Sequence, residues 1–348
     1  MHFDINKLKD RLDLLEKLLN NTSDKYKRIE ILNDIKKIKY LIRYIDNSIV
    51  LYPNDGCDKV QGDFKEKDDD IVASRVVEFF NSYTGPLQDS LRYFYNKPKL
   101  PWKVRKDFRI SNIKYYELVD DFTRRFNLEL FELYKYLIEE KRIELSPRRY
   151  EEEKTANGLC LYVGNLNEAY VLSRFNNKMS AGITLPHELG HAYLFYKSNF
   201  NNEPNMFVEA YSIFIEFIFG DYLKNTRYSG VAMAKEYQRL DAFLGLVDFA
   251  FDDISKLKDM YFKFPFFYSC DGSLGGVDSA MMVLSNMLGM YFANLYRFDQ
   301  KKYNVMMAAF MDMYGRATDE EILKYFKLDN LVSGSISTIN TYIKTYRR

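Results

Sequence analysis

Thr184-Leu185-Pro186-His187-Glu188-Leu189-Gly190-His191-Ala192-Tyr193-Leu194-Phe195-Tyr196 decides the reading of this chain, because it holds two of only three histidines, four residues apart. Positions i and i+4 share one face of an α-helix, so both imidazoles can meet the same ion. Neutral imidazole is a good zinc ligand. A glutamate beside the first histidine, here Glu188, is placed to act as base on a metal-polarised water. Zn²⁺ is therefore the expected cofactor. Two histidines leave such a site one protein ligand short, since catalytic zinc takes three plus water. His2 stands at the chain start, and Cys160 or Cys270 would make an unusual hydrolytic site, so a carboxylate is the natural third ligand. Glu209 follows His187 by twenty-two positions, on a helix of its own after the polar turn 198–204. Glu203 in the turn and Glu216 further along the same helix face are the competitors.

Working outward, almost every segment has helical period. Leu8, Leu12, Leu15 and Leu19 form one apolar stripe, and Ile31, Ile35, Ile38, Ile42 and Ile45 form another, with Asn20-Asn21-Thr22-Ser23-Asp24 between them. That pattern is an antiparallel helical hairpin. Residues 52–70 hold Pro53, Gly56, Gly62 and a charge run, and read as a linker. A helix is expected over 71–83, with breaks at Gly85-Pro86 and near Pro98 and Pro101, then one long helix or a bent pair over 113–140. The stretch 158–175, GLCLYVGNLNEAYVLSRF, is the clearest strand-bearing segment, with one strand over 169–175. Helices resume over 183–196, 205–223, 230–251, 279–296, 302–314 and 319–326. Thr318 with Glu321 predicts a capping box at the last of these.

Beyond the motif, TLPHELGHAYLFY followed by FVEAYSIFIEFI resembles the M3 zinc metallopeptidases of oligopeptidase F and thimet type. In that family a second helix carries Glu-x-x-Ser-x-x-x-Glu, and Glu209, Ser212 and Glu216 reproduce it in register. The resemblance implies that Glu209 is the third ligand and that Glu216 supports the site. Residues 154–160 and 169–175 resemble the family's glycine turn and edge strand, which would hold an extended peptide by strand addition at Tyr170, Val171, Leu172 and Ser173. Helix 113–145 resembles the long helix before that strand, and ATDEEILKYFKLD the closing helix. The family also carries a His/Tyr or Tyr/Tyr set near its C-terminus that polarises the scissile carbonyl. With no histidine to spare, Tyr268 is the first choice for that role, with Tyr261 and Tyr291 behind it.

The implied fold is mainly α: a zincin-type catalytic lobe over 106–348, with a small β-sheet beside the metal-binding helix, and a helical N-terminal lobe over 1–105. The implied activity is hydrolysis of internal bonds of short oligopeptides by metal-activated water with Glu188 as general base. The rival readings are a metal-bearing peptide-binding protein with little turnover and a zinc hydrolase of a non-peptide amide; the edge-strand pattern disfavours the latter.

Composition narrows the remaining classes. Fifty basic residues nearly cancel 49 acidic ones, and no basic tract or nucleic-acid motif occurs, so no nucleic-acid partner is expected. The most apolar segment, 206–219, is interrupted by Glu209 and Glu216, so no membrane span is expected. Three widely spaced cysteines suit a reducing compartment, and the N-terminus lacks the apolar run of a signal peptide; the expected location is the cytoplasm. The sequence does not indicate an oligomeric state.

Overall fold

The computed structural model describes residues 3–45, 107–146, 158–198, 207–256 and 276–346, with single positions at 89, 92, 94 and 100. The expected linker 52–70, the helix 71–83, the breaks at 85–86 and near 98 and 101, and Tyr261 and Tyr268 lie outside the described residues. Two compact units form: Met1–Tyr52 with Asp107–Glu203, and Pro53–Lys106 with Pro204–Arg348.

The first unit opens with the hairpin, α1 (Ile5–Asn21) and α2 (Lys25–Ile45). Asp4 caps α1 by accepting from the backbone N–H groups of Asn6 and Lys7. The expected helix over 113–140 is a bent pair, α3 (Asn112–Phe126) and α4 (Leu128–Glu139). The break falls at Asn127, whose extended backbone (φ −157°, ψ 118°) ends one helix while its side chain caps the next.

Three strands follow: β1 (Ile143–Ser146), β2 (Gly158–Val163) and β3 (Glu168–Arg174), in the order β1-β3-β2. β1 runs parallel to β3, and β2 antiparallel to it. The β1 strand is a correction to the sequence reading, which carried helical character through Leu145. The middle position of β3 is another. This strand, expected at the sheet edge, is paired on both sides, so its backbone groups are consumed by the sheet. Strand alternation gives the sheet two faces. Leu159, Leu161, Val163, Tyr170 and Leu172 pack on the hairpin in one apolar cluster with Leu8, Leu15, Ile31, Ile35 and Ile38. The hairpin is also tied to the sheet by polar bonds. The Phe3 N–H donates to Glu144 at 3.0 Å and Arg11 pairs with Glu168 at 2.9 Å. The opposite face carries α5 (Thr184–Lys197), which packs against β2 and β3.

The second unit is helical among the described residues: α6 (Ala210–Lys224), α7 (Ser229–Lys256), α8 (Gly276–Phe298), α9 (Gln300–Met313), α10 (Asp319–Phe326) and α11 (Leu328–Tyr346). α8 contacts α6, α7 and α11, and its stretch 283–293 is buried throughout. Gly334 of α11 lies against Tyr291 of α8, where an added β-carbon would stand 2.9 Å from the Tyr291 Cα. The capping box at Thr318 and Glu321 forms as expected. A further helix, α11, follows α10, the segment that resembled the family's closing helix.

Candidate metal centre and active site

α5 presents the motif because it is apolar nearly all round. Leu185, Leu189, Ala192, Tyr193 and Leu194 are buried, as a helix laid on a sheet requires. Pro186 sits in its first turn, where a missing N–H costs no helical bond. The entry to the helix is pinned by the Tyr115 hydroxyl, which donates to the Gly182 carbonyl. Its end is pinned by Tyr193, which donates to Glu129 at 2.6 Å, and by Lys197, which pairs with the same carboxylate.

His187 and His191 meet as the helical spacing predicts. Their Nε2 atoms stand 3.1 Å apart. A tetrahedral zinc with Zn–N bonds of about 2.0–2.1 Å sets two ligand nitrogens about 3.3 Å apart. The helix expected from 205 begins only at Ala210, so Glu209 stands at its N-cap position (φ −82°, ψ −14°) with no side-chain capping bond, after a turn over 207–209. Three ligand atoms, one from each of His187, His191 and Glu209, all lie within 4.8 Å of one another. Two imidazoles and a carboxylate are a donor set that suits zinc, so the residues present fit the ion.

Glu188 is 6% exposed and lies beside β2. At Gly158 an added β-carbon would overlap the Glu188 carboxylate and the Thr184 methyl group. The strand therefore runs against the carboxylate at a distance only glycine permits. Cys160, two residues on and on the same face, has its thiol pushed well up by burial and then by the Glu188 charge.

The remaining expected residues are distributed differently. Tyr170, Val171, Leu172 and Ser173 lie in the central strand and all are buried, so they do not form the substrate rail that was expected of them. Tyr170 instead donates its hydroxyl to Glu168 at 2.7 Å. Among the described residues, the strand beside α5 with an unpaired edge is β2, partly exposed over 158–161. Tyr291 is 3% exposed and packs on Phe292, Phe326 and Gly334, as a core side chain does. Glu216 is held by Arg239, whose Nε donates to it at 2.6 Å. Burial acts to lower the Arg239 pKa, but the charges of Glu216 and, more weakly, Glu209 outweigh it and hold the group above its ordinary value. Sequence reading missed Arg239, because α7 is a separate helix and nothing in its spacing points back to α6.

No protein-family model matches the chain, and neither does any curated protein. Solved structures do resemble it. A proposed oligoendopeptidase F from Bacillus anthracis superposes with a TM-score of 0.50 at 14% identity, over 92% of this chain and 64% of its own. A proposed peptidase from Chlamydophila abortus gives 0.51 at 13% identity, over 79% and 55%. A structure described as PZ peptidase A with an inhibitor gives 0.52 at 14% identity, over 92% and 66%. The chain thus spans less than two thirds of the length of the first two and 66% of the third. Among the described residues, no helix is long and apolar enough to cross a membrane. The chain, mainly helical with a small sheet, shares its fold with the structures described as oligoendopeptidase F and PZ peptidase A.

Proposed function

We propose that this protein is a zinc metallopeptidase that hydrolyses internal peptide bonds of short oligopeptides in the cytoplasm. The observation that carries the reading is the convergence of His187, His191 and Glu209, with the Glu188 carboxylate beside them on the same helix turn. These three side chains would hold Zn²⁺, which supplies a Lewis acid for the carbonyl and lowers the pKa of the attacking water. Glu188 takes the proton from that water and returns it to the leaving amine nitrogen. Its low exposure keeps competing water away from the carboxylate. Glu216 and Arg239 form the support behind Glu209. Tyr268 is proposed to donate to the oxyanion, a role worth several kcal/mol where a donor is preorganised.

The substrate strand is reassigned from β3 to β2. An extended peptide laid along the outer edge of β2 would pass beside Glu188, and the half-buried stretch 158–161 offers backbone donors and acceptors for strand addition.

The test is cleavage of a mixed peptide library by the zinc-loaded protein, by chelated protein and by Glu188→Gln. The expected result is chelator-sensitive cleavage that Glu188→Gln lowers by about 100-fold or more, with one equivalent of zinc retained. One equivalent of bound zinc without chelator-sensitive, Glu188-dependent cleavage would replace the peptidase reading with a peptide-binding protein.

A further inference from the structure

We propose that Lys37, on the N-terminal hairpin, determines the length of peptide the site accepts: it plugs the outer edge of β2 at Tyr162 and confines strand addition to Gly158 and Cys160. The inference rests on the peptidase reading above through the assignment of β2 as the substrate strand.

The direction of each backbone group in β2 follows from the ladder. The Val171 N–H donates to the Arg142 carbonyl at 2.8 Å and the Phe175 N–H to the Ser146 carbonyl at 2.7 Å, so alternate residues from 171 turn toward β1. Tyr170 and Leu172 then turn toward β2, where their partners are Leu161 and Leu159. The residues between, Gly158, Cys160 and Tyr162, stand opposite Ser173, Val171 and Ala169 and direct their N–H and C=O groups away from β3. Among the described residues no strand pairs with that outer edge.

One of these three outward positions is taken. The Lys37 ammonium donates to the Tyr162 carbonyl at 2.5 Å. The same ammonium lies 3.1 Å from the Asp34 carboxylate, which is 3% exposed. The other Asp34 oxygen accepts from the backbone N–H of Asn165 at 2.8 Å and from its side-chain amide at 2.9 Å. Lys37 is therefore fixed between a buried carboxylate and the strand, and the turn after β2 is fixed by the same carboxylate.

A peptide pairing with an antiparallel edge exchanges two bonds at every second residue. Gly158 and Cys160 can each make that exchange, whereas at Tyr162 the acceptor is occupied and an ammonium stands in the path. Gly158 adjoins Glu188, so the count runs outward from the catalytic carboxylate. From Gly158 to Tyr162 the strand advances about 13 Å, the reach of about four extended residues. Affinity should rise as a peptide is lengthened on that side and stop rising when it reaches Tyr162.

The experiment measures binding of a peptide ladder, about two to eight residues long and extended from either end, to zinc-loaded Glu188→Gln protein by fluorescence anisotropy. The same ladder is measured with Lys37→Met and with Lys37→Arg on that background, melting temperatures are compared, and kcat/KM is recorded in the Glu188-intact proteins. The parent and Lys37→Arg should show a plateau at about four residues on one side. Lys37→Met should bind longer peptides about five- to tenfold more tightly, with the gain in KM rather than kcat. Identical length profiles in all three proteins, or no plateau in the parent, would overturn the plug; if Lys37→Met fails to fold, Lys37→Gln gives the same comparison. A shifted plateau without cleavage would sink the peptidase reading and leave the plug standing. Cleavage with a length-independent profile would do the reverse, and absence of binding at every length would overturn both.

Discussion

Gly158→Ala places a single methyl group where β2 meets the catalytic carboxylate, and its effect can be worked from the contacts. The added β-carbon would lie 2.4 Å from the Glu188 Oε1 and 2.4 Å from the Thr184 methyl group, whereas ordinary contact begins at 3.4 Å, so these side chains or the strand must give by about 1 Å. The strand is held at the far end by Asp34 and along its length by β3, and α5 is pinned at both ends, so the Glu188 side chain is the part that can move. Overpacking of this size costs about 1–3 kcal/mol of stability. Displacing a general base by close to 1 Å costs up to about 100-fold in rate. Gly158→Ala should therefore lower kcat by about 10- to 100-fold while zinc remains bound at one equivalent, because the three proposed ligands are not touched. Cleavage of a quenched fluorescent peptide gives kcat, a colorimetric chelator titration gives the metal content, and a thermal melt gives stability. Wild-type kcat in Gly158→Ala, with activity still lost in Glu188→Gln, would refute the placement of the carboxylate against the strand. Loss of zinc in Gly158→Ala would refute the separation of base from ligands.

Two further expectations follow from the second unit. Gly334→Ala adds a good helix former, which by itself stabilises by about 0.5–1 kcal/mol, but the new carbon would meet the backbone of Tyr291 at 2.9 Å; net destabilisation of about 1–2 kcal/mol is expected in urea melts, and a stabilised variant would show that α8 and α11 do not approach so closely. Asp221 is pushed up by burial, but the Arg297 guanidinium at 2.6 and 3.0 Å, and then Lys224, outweigh burial and hold its carboxyl below the usual range. A depressed carboxyl contributes stability that is full above its unfolded-state pKa and is lost as pH falls through the folded-state value. Asp221→Asn should thus cost about 1–3 kcal/mol at pH 7, with the difference from the wild type starting to shrink below about pH 4 and closing only once pH falls below the lowered folded-state value; a pH-independent difference would contradict the pairing.

Much of the molecule was legible because its signals are local. The pairing of His187 with His191 needs only helical geometry, and the hairpin stripes, the capping box at Thr318 and the strand over 168–174 need only period and cap chemistry. What failed was non-local or short. β1 has four residues, too few to show a period, and exists because β3 pairs with it. The order of strands cannot be read from a strand's own residues. β3 was taken for an edge strand because the family resemblance implied it, and its composition, EAYVLSR, is equally at home at the edge or in the middle of a sheet and could not correct that. The glycine at 158 was visible as a turn-like residue, but its use, making room for Glu188, depends on a helix 26 positions later.

By itself, then, the sequence determined which side chains can do chemistry: two imidazoles on one helical face, a glutamate between them, and a short set of carboxylates from which a third ligand could come. The tertiary structure groups Glu209 with the two histidines as side chains that could hold a metal ion, leaves β2, among the described residues, with no strand on its edge beside Glu188, and brings a lysine from the first forty residues onto that edge. The physical reason is the range of the forces involved. Periodicity and capping act within a turn or two of chain and are written in neighbouring residues. Strand pairing, the Arg239–Glu216 pair and the bond from Lys37 to Tyr162 join segments far apart in sequence, and exist only once burial of the apolar faces has brought those segments together.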